Sequence, residues 1–336
     1  MSYDPCYSPN KLRYSSKMQY ERCGLSGLKL PLITLGLWHN FGASHSLEKQ
    51  SSLIKYAFDC GITHFDLANN YGPPPGKAEE NFGQILKNDL SRYRDELIIT
   101  TKAGYQMWDG PYGDGGSKKY LISSLDQSLK RMHLDYVDIF YHHRPDPETP
   151  LDESMAALDS IVRSGKALYI GLSNYNSEDG LKALKILKDL GTPCLIHQLR
   201  YNLLDREAEH STLVDFHNQG VGSIAFSPLA QGLLSDRYLK NIPDDSRAGN
   251  KASPFLDHES VNANIKKIKK LNEIAKARNQ TLAQMALAWC LRRPEVTSVL
   301  IGASSNDQIK ENLKSLGNLN FSEADIKVIN TLTLEV

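Results

Sequence analysis

"ITHFDLANNYG" (residues 62–72) begins as an apolar, β-branched run, meets a carboxylate at Asp66 and reaches a tyrosine five positions later. Ile62-Thr63-His64-Phe65 predicts a short buried strand, and the turn residues Gly72-Pro73-Pro74-Pro75-Gly76 follow Tyr71. On this stretch alone Asp66 equally suits a helix cap or turn, and Tyr71 a half-buried aromatic. The choice depends on whether a strand with a polar end recurs elsewhere. It does. Apolar runs of strand length occupy "ITLGLW" (33–38), "ITHFD" (62–66), "ELIITTKA" (96–103), "YVDIFYHH" (136–143), "ALYIGLS" (167–173), "CLIHQ" (194–198), "VGSIAFS" (221–227) and "VTSVLIG" (296–302), eight in all.

Helical spacing fills the intervals. Leu121, Leu125 and Leu129 share a stripe, as do Leu151, Met155, Leu158 and Ile161, and then Leu181, Leu184 and Leu187. Thr149-Pro150 opens the second of these helices, and Gly165 and Gly191 close the second and third. Strands apolar on both faces that alternate with helices pair in parallel through helical crossovers. Eight such units in 336 residues predict a closed (β/α)8 TIM barrel. An open doubly wound sheet is the alternative, but "LGLWHNFGAS" after the first run is no G-x-G-x-x-G phosphate loop.

Short extended pieces around Gly24 and Gly27 predict an N-terminal β-hairpin, preceded by a polar arm over residues 1–17. No repeat or linker divides the chain, so residues 1–336 read as a single domain. The alternation is padded twice, by "GYQMWDGPYGDGGSKK" (104–119) and by the long segment 227–260. Both follow strand C-termini, the face on which barrel active sites are built.

Composition narrows the function. Lys+Arg and Asp+Glu are both 39, which gives no basic field for nucleic acid. The five cysteines (Cys6, Cys23, Cys60, Cys194, Cys290) form no C-x-x-C pair, against a disulfide framework or zinc knuckle. "MSYDPCYSPN" lacks the basic start and apolar core of a signal peptide, and no run is long enough to span a membrane. A cytoplasmic protein with no membrane partner is expected.

If the strands are right, the second, third and fourth end in Asp66, Lys102 and His142-His143, with Tyr71 just above the second. Separately, Lys102 reads as a snorkelling surface residue and the histidines as one core and one exposed side chain. Together they compose proton chemistry. An ammonium near a phenol is expected to lower its pKa from about 10. Asp66 is the counter-charge that a buried lysine needs, and a neutral imidazole can orient a carbonyl. A metal-dependent hydrolase built on His142 and His143 is a rival, but the other histidines show no H-x-H or H-x-x-E pattern.

Asp66, Tyr71, Lys102 and His143, with "FDLANNYG", "IITTKAG", "DIFYHHRPD", "GLSNYN", "IHQLRYNLL", "AFSPLAQGLL" and "IGASSNDQIKEN", resemble the aldo-keto reductases over nearly the full length. "MWDGPYGDGGSKKYLISSLDQSLKRM" and "SGKALYIGLSNY" look like the branch of bacterial L-glyceraldehyde 3-phosphate reductases and potassium-channel β subunits. The resemblance implies Tyr71 as general acid, Lys102, Asp66 and His143 as its partners, and NADPH (NADP+) as cofactor. Gly36, Leu37, Trp38 and Asp66 would border the nicotinamide; Ser173, Asn174 and Gln198 would bind its carboxamide; Phe226 would stack on the ring.

By the same resemblance Ser227, Pro228, Leu229, Gln231 and Gly232 follow the pyrophosphate, and Arg237 and Arg247 clasp phosphates or adenine. Gly302, Ser304, Gln308, Glu311 and Asn312 surround the seat of the 2′-phosphate, although many members carry Lys and Arg where this chain has Gly302 and Gln308. Trp38, Tyr71, Trp108 and His143 are expected to meet the substrate, with Tyr105 adding to the aromatic wall. Arg144 and Lys118-Lys119 are candidates for an anionic tail, although each lysine reads first as a solvated surface residue. The branch implies small aldehydes such as methylglyoxal and L-glyceraldehyde 3-phosphate, and a homo-oligomer of four or more chains. It also implies an alternative, a redox-sensing regulatory subunit. Channel subunits lack the histidine present here as His143, which favours the reductase.

Overall fold

The computed structural model describes residues 7–15, 18–244, 246–249 and 256–334. Residues 1–6 and 16–17 of the expected arm, with Cys6, and residues 245 and 250–255 of the second padded loop lie outside the described residues. The parallel strands are β3 (Ile33–Gly36), β4 (His64–Asp66), β5 (Ile98–Ala103), β6 (Val137–His142), β7 (Ala167–Ser173), β8 (Ile196–Arg200), β9 (Gly222–Phe226) and β10 (Val296–Ile301). They follow the antiparallel hairpin of β1 (Tyr20–Arg22) and β2 (Lys29–Pro31). The eight close in the order β10-β3-β4-β5-β6-β7-β8-β9, so the sheet has no open switch point. All eight apolar runs supply a barrel strand.

The crossovers carry α1 (Leu47–Asp59), α2 (Lys77–Ile85), α3 (Lys118–Met132), α4 (Leu151–Arg163), α5 (Ser177–Asp189), α6 (Thr212–Asn218), α7 (His258–Ala277) and α8 (Leu282–Leu291), and α9 (Asn306–Leu313) and α10 (Glu323–Thr333) follow the last strand. Their starts are set by side chains that accept the first free N–H groups: Ser46 for α1, Ser117 for α3, Asn176 for α5 and Thr281 for α8. No helix among the described residues is long and apolar enough to cross a membrane. The described part of the arm lies on α1, where Tyr7 donates to Asp59 Oδ1 at 2.8 Å.

Alternation along each strand separates two cores. Phe65 points outward and packs against Phe82 of α2 with ring centroids 5.8 Å apart, within the large shell between strands and helices. Cys23 and Leu30 of the hairpin join Ile139, Tyr141, Leu195, Ile196 and Ile224 in a smaller apolar cluster inside the barrel. The hairpin therefore caps the N-terminal end of the lumen. Gly171, paired with Tyr141, is required there, because a Cβ at that position would stand 2.5 Å from the Tyr141 ring. Above this apolar floor the inward positions turn polar: His64, Asp66, Thr100, Lys102 and Gln198 are all buried. The two padded segments leave β5 and β9 at their C-terminal ends, on the side where these polar residues stop.

Candidate active site

β4 and β5 pair with Asp66 opposite Thr100, which places Asp66 and Lys102 on one inner wall near the barrel mouth. Lys102 Nζ lies 2.5 Å from Asp66 Oδ2 and 2.6 Å from the Leu67 carbonyl oxygen, and both charged side chains are fully buried. Its remaining donor faces the Tyr71 hydroxyl at 3.4 Å. His143, one residue past β6, meets the Tyr71 ring edge-on with centroids 6.0 Å apart. Trp38 closes the other side, 6.1 Å from Tyr71 between centroids. Phenol, amine, carboxylate and imidazole thus converge from separate strands.

Asp66 accepts three side-chain hydrogen bonds. Oδ1 accepts from Thr100 Oγ1 at 2.7 Å and from Gln198 Nε2 at 3.1 Å, while Oδ2 accepts from Lys102. A buried ion pair hydrogen-bonded at both carboxylate oxygens persists where an unsupported one would neutralise. Burial nevertheless draws the Lys102 pKa below its ordinary value, against the opposing pull of Asp66 and Glu79.

The phenol departs from the expectation that the ammonium lowers its pKa. Burial, and then the charge of Asp66 and the neighbouring Tyr105, push Tyr71 well above 10. The ammonium is already claimed by Asp66 and Leu67, so the loss of solvent dominates. Tyr71 is therefore held as the protonated phenol, its oxygen accepting from Lys102. His143 is neutral: burial first, then Lys102, His142 and Arg144, hold its pKa well below 6.5. Its Nδ1 is buried with no hydrogen-bond partner among the described residues.

Other expected site residues are placed as follows. Gly36 pairs with Asp66, and Leu37 donates its N–H to the Asp66 carbonyl oxygen at 2.9 Å. Asn174, in left-handed backbone (φ 60°), donates Nδ2 to the His143 carbonyl oxygen at 2.9 Å and to Ser173 Oγ at 3.2 Å. Phe226, at the end of β9, is half-buried with the Arg200 guanidinium 5.9 Å from its ring centroid. Next come Ser227 (φ 52°), the buried Pro228, Leu229 and three successive left-handed residues: Ala230 (φ 46°), Gln231 (φ 60°) and Gly232 (φ 97°). Gln231 donates Nε2 to Ser227 Oγ at 3.1 Å, and Arg247 donates to Gln231 Oε1. Arg247 also lies close enough to His39 to help lower its pKa, so this cation faces the end of β3. Arg237 is exposed on the same loop.

At the start of α9, Ser305 caps the helix and Gln308 folds back, its Oε1 accepting from Ser304 N at 2.8 Å and Ser304 Oγ at 3.1 Å. Gly302 is exposed; Glu311 pairs with Lys314, and Asn312 is buried. The Trp108 ring packs on Tyr120 at 5.2 Å, with no ring contact to Tyr71 or His143 among the described residues. Tyr105 is edge-on to His143 at 4.7 Å. The segment after β5 leaves through Gly104 (φ 157°) and sets Tyr105 on His143 and Trp108 on Tyr120 of α3.

His142 and His143 do not share a ligand position. His142 turns outward, with Nδ1 2.7 Å from the Tyr175 hydroxyl. No group of three or more metal-ligating side chains occurs among the described residues. Sequence reasoning missed Thr100, His64 and the Asn174–His143 bond. For the first two a signal existed, since H-x-D in β4 and T-x-K in β5 each put two polar residues on one strand face.

Buried neutral imidazoles make the fold acid-sensitive. Burial lowers His64 and His142 to about 4 and His197 to about 3, against about 6.5 for an unfolded chain. Between those limits the unfolded chain binds more protons than the native one, so stability falls as pH falls below about 6.5. Urea unfolding is expected to show a loss of about 4 kcal/mol between pH 7.5 and 5.5 from these three groups. A flat profile over that range would contradict their burial in neutral form.

A model of the aldo/keto reductase family matches residues 32–333. The chain is 56% identical over 325 residues to L-glyceraldehyde 3-phosphate reductase of Escherichia coli (strain K12), covering 96% of this chain and 94% of that one. It is 36% identical over 306 residues, 89% of this chain and 91% of the other, to a probable voltage-gated potassium channel subunit beta of Oryza sativa subsp. japonica. With nearly the whole barrel matched and the relatives aligned almost end to end, the chain belongs to the aldo/keto reductase family.

Proposed function

We propose that the protein reduces small aldehydes with a nicotinamide dinucleotide, NADPH ahead of NADH, using Tyr71 as proton donor. One observation carries the reading: a protonated, desolvated phenol 3.4 Å from a buried ammonium, which is itself locked to Asp66 at 2.5 Å. When a carbonyl oxygen gains charge at the mouth, Tyr71 gives up its proton and Lys102 stabilises the phenolate that remains. Neutral His143 directs the carbonyl. Asp66 keeps Lys102 charged despite its burial.

The chain's residues fit the dinucleotide. The left-handed run Ala230-Gln231-Gly232 makes a backbone turn of the kind that cradles anions, with Arg247 beside it. Ser173 and Asn174 stand at the end of β7, Gln198 pairs with Ser173 from within β8, and together they suit an amide, with Phe226 at the end of β9 to cover a ring. When bound, a reduced nicotinamide supplies hydride to the carbonyl carbon. The α9 seat favours NADPH through the Ser304 hydroxyl and N–H, once the Gln308 carbonyl oxygen swings away from them.

For substrate we propose phosphorylated and dicarbonyl aldehydes, L-glyceraldehyde 3-phosphate and methylglyoxal among them. The first is named for the 56%-identical relative. Arg144 supports the anionic tail: its Nε donates to the Gly104 carbonyl oxygen at 2.7 Å, its Nη2 to Asp114 at 3.0 Å, and it lies against Tyr105 beside His143. Lys119 lies over Tyr112, farther along the loop.

The test is steady-state kinetics on both aldehydes with NADPH and with NADH. Turnover with the phosphorylated aldehyde is expected, and Arg144→Met should raise its KM about tenfold while leaving methylglyoxal within about twofold. Equal effects on both would remove Arg144 from substrate binding. No turnover with any aldehyde would discard the reductase and favour a cofactor-bearing regulatory subunit.

A further inference from the structure

Beneath Asp66 the lumen holds polar side chains that the proposed chemistry leaves unused. Thr34 of β3, His64 of β4, Thr100 of β5 and Ser298 of β10 are all fully buried, on four adjacent strands. Ser298 Oγ is 2.9 Å from Thr34 Oγ1, which is 2.9 Å from His64 Nδ1. His64 Nε2 is 3.4 Å from Thr100 Oγ1, and Thr100 Oγ1 is 2.7 Å from Asp66 Oδ1. We infer that His64 is a positioning residue for the Asp66–Lys102 pair, held as the Nε2–H tautomer so that it orients the Thr100 hydroxyl onto Asp66.

The direction follows from one end of the run. An ionised carboxylate only accepts, so the single Thr100 proton points to Asp66. The Thr100 oxygen then faces His64 as an acceptor, and the ring must present N–H at Nε2. Nδ1 is left to accept from Thr34, and Thr34 to accept from Ser298. Every proton in the run points toward Asp66, and in a dry lumen such aligned bonds reinforce one another. The imidazole is neutral because burial, then Lys102, outweigh the pull of Asp66; these two are the charged groups that act on it. A second proton on the ring would face Thr34 and force that hydroxyl to turn away.

The consequence reaches Tyr71, and this part rests on the role proposed for it above. With Thr100 and Gln198 on Oδ1, the carboxylate is partly neutralised and does not hold the whole field of the ammonium. Without the relay, Asp66 binds Lys102 more tightly and less positive potential reaches the phenol. The Tyr71 phenolate is then harder to form. In the direction of alcohol oxidation, where Tyr71 acts as base, the basic rise of the pH–rate profile should move upward.

Two measurements test this. In the unaltered protein labelled with 15N at histidine, His64 should show one protonated and one unprotonated nitrogen from pH 5.5 to 8.5, with the proton on Nε2. This reading does not depend on turnover, so it stands apart from the fate of the reductase proposal, which Tyr71→Phe decides. In kinetics, His64→Leu should shift the basic limb upward by about one pH unit and lower kcat about tenfold. Thr100→Val should do the same, and the double variant should add little, since the two act in series. His64→Gln, whose amide can donate to Thr100 and accept from Thr34, should restore most of the loss. A proton on Nδ1 would overturn the inference. So would an unmoved limb in Thr100→Val or in a folded His64→Leu.

Discussion

Tyr71→Phe is expected to lower the rate of aldehyde reduction by about three orders of magnitude, while dinucleotide binding, followed by nicotinamide fluorescence, stays within about twofold. The size of the effect follows from the state of Lys102 and His143, the two ionisable side chains that flank Tyr71. Lys102 spends two of its hydrogen bonds on Asp66 and Leu67, and transfer of its proton would strand a buried carboxylate. His143 is held neutral by burial and neighbouring cations, so it is a poor source of a proton. The ring contacts of Tyr71 with Trp38 and His143 survive in phenylalanine, so the fold should be undisturbed. Reduction at more than a tenth of the original rate would give the acid role to another group.

Lys102→Met should cost about 3–5 kcal/mol of stability in urea unfolding, because it leaves Asp66 as an uncompensated charge inside the barrel. Methionine matches the length of the lysine stem, so loss of packing adds little. Asp66→Asn combined with Lys102→Met should recover much of the stability and none of the activity. A deficit under about 1 kcal/mol at pH 7.5 would mean that water reaches the pair.

Much of this was legible in one dimension. Parallel strands covered on both sides read as uninterrupted apolar runs, and that is why all eight could be located before their partners were known. Tyr105 and Trp108 were not distinguishable in the same way. Both are aromatic residues in one loop, and only the path of the backbone after Gly104 sets Tyr105 on His143 and Trp108 on Tyr120. The Tyr71 pKa was misread for a related reason. Nearness to Lys102 can be guessed from strand ends, whereas burial and the prior claim of Asp66 on the ammonium cannot. Gln308 shows the same limit. Its lack of charge is plain in the sequence, but its folding back onto Ser304 is not.

The order of residues by itself determined the barrel, its capping hairpin and which strand ends carry Asp66, Lys102 and His143, because hydrophobic periodicity and turn chemistry are local properties of a chain. Only the tertiary structure decided that Gln198 reaches Asp66 across 132 positions, that a run of hydroxyls and His64 supports that carboxylate from below, and that the phenol is held protonated. Those outcomes depend on barrel closure and strand register, which set distance and exclude water, and neither quantity is a property of neighbours in sequence.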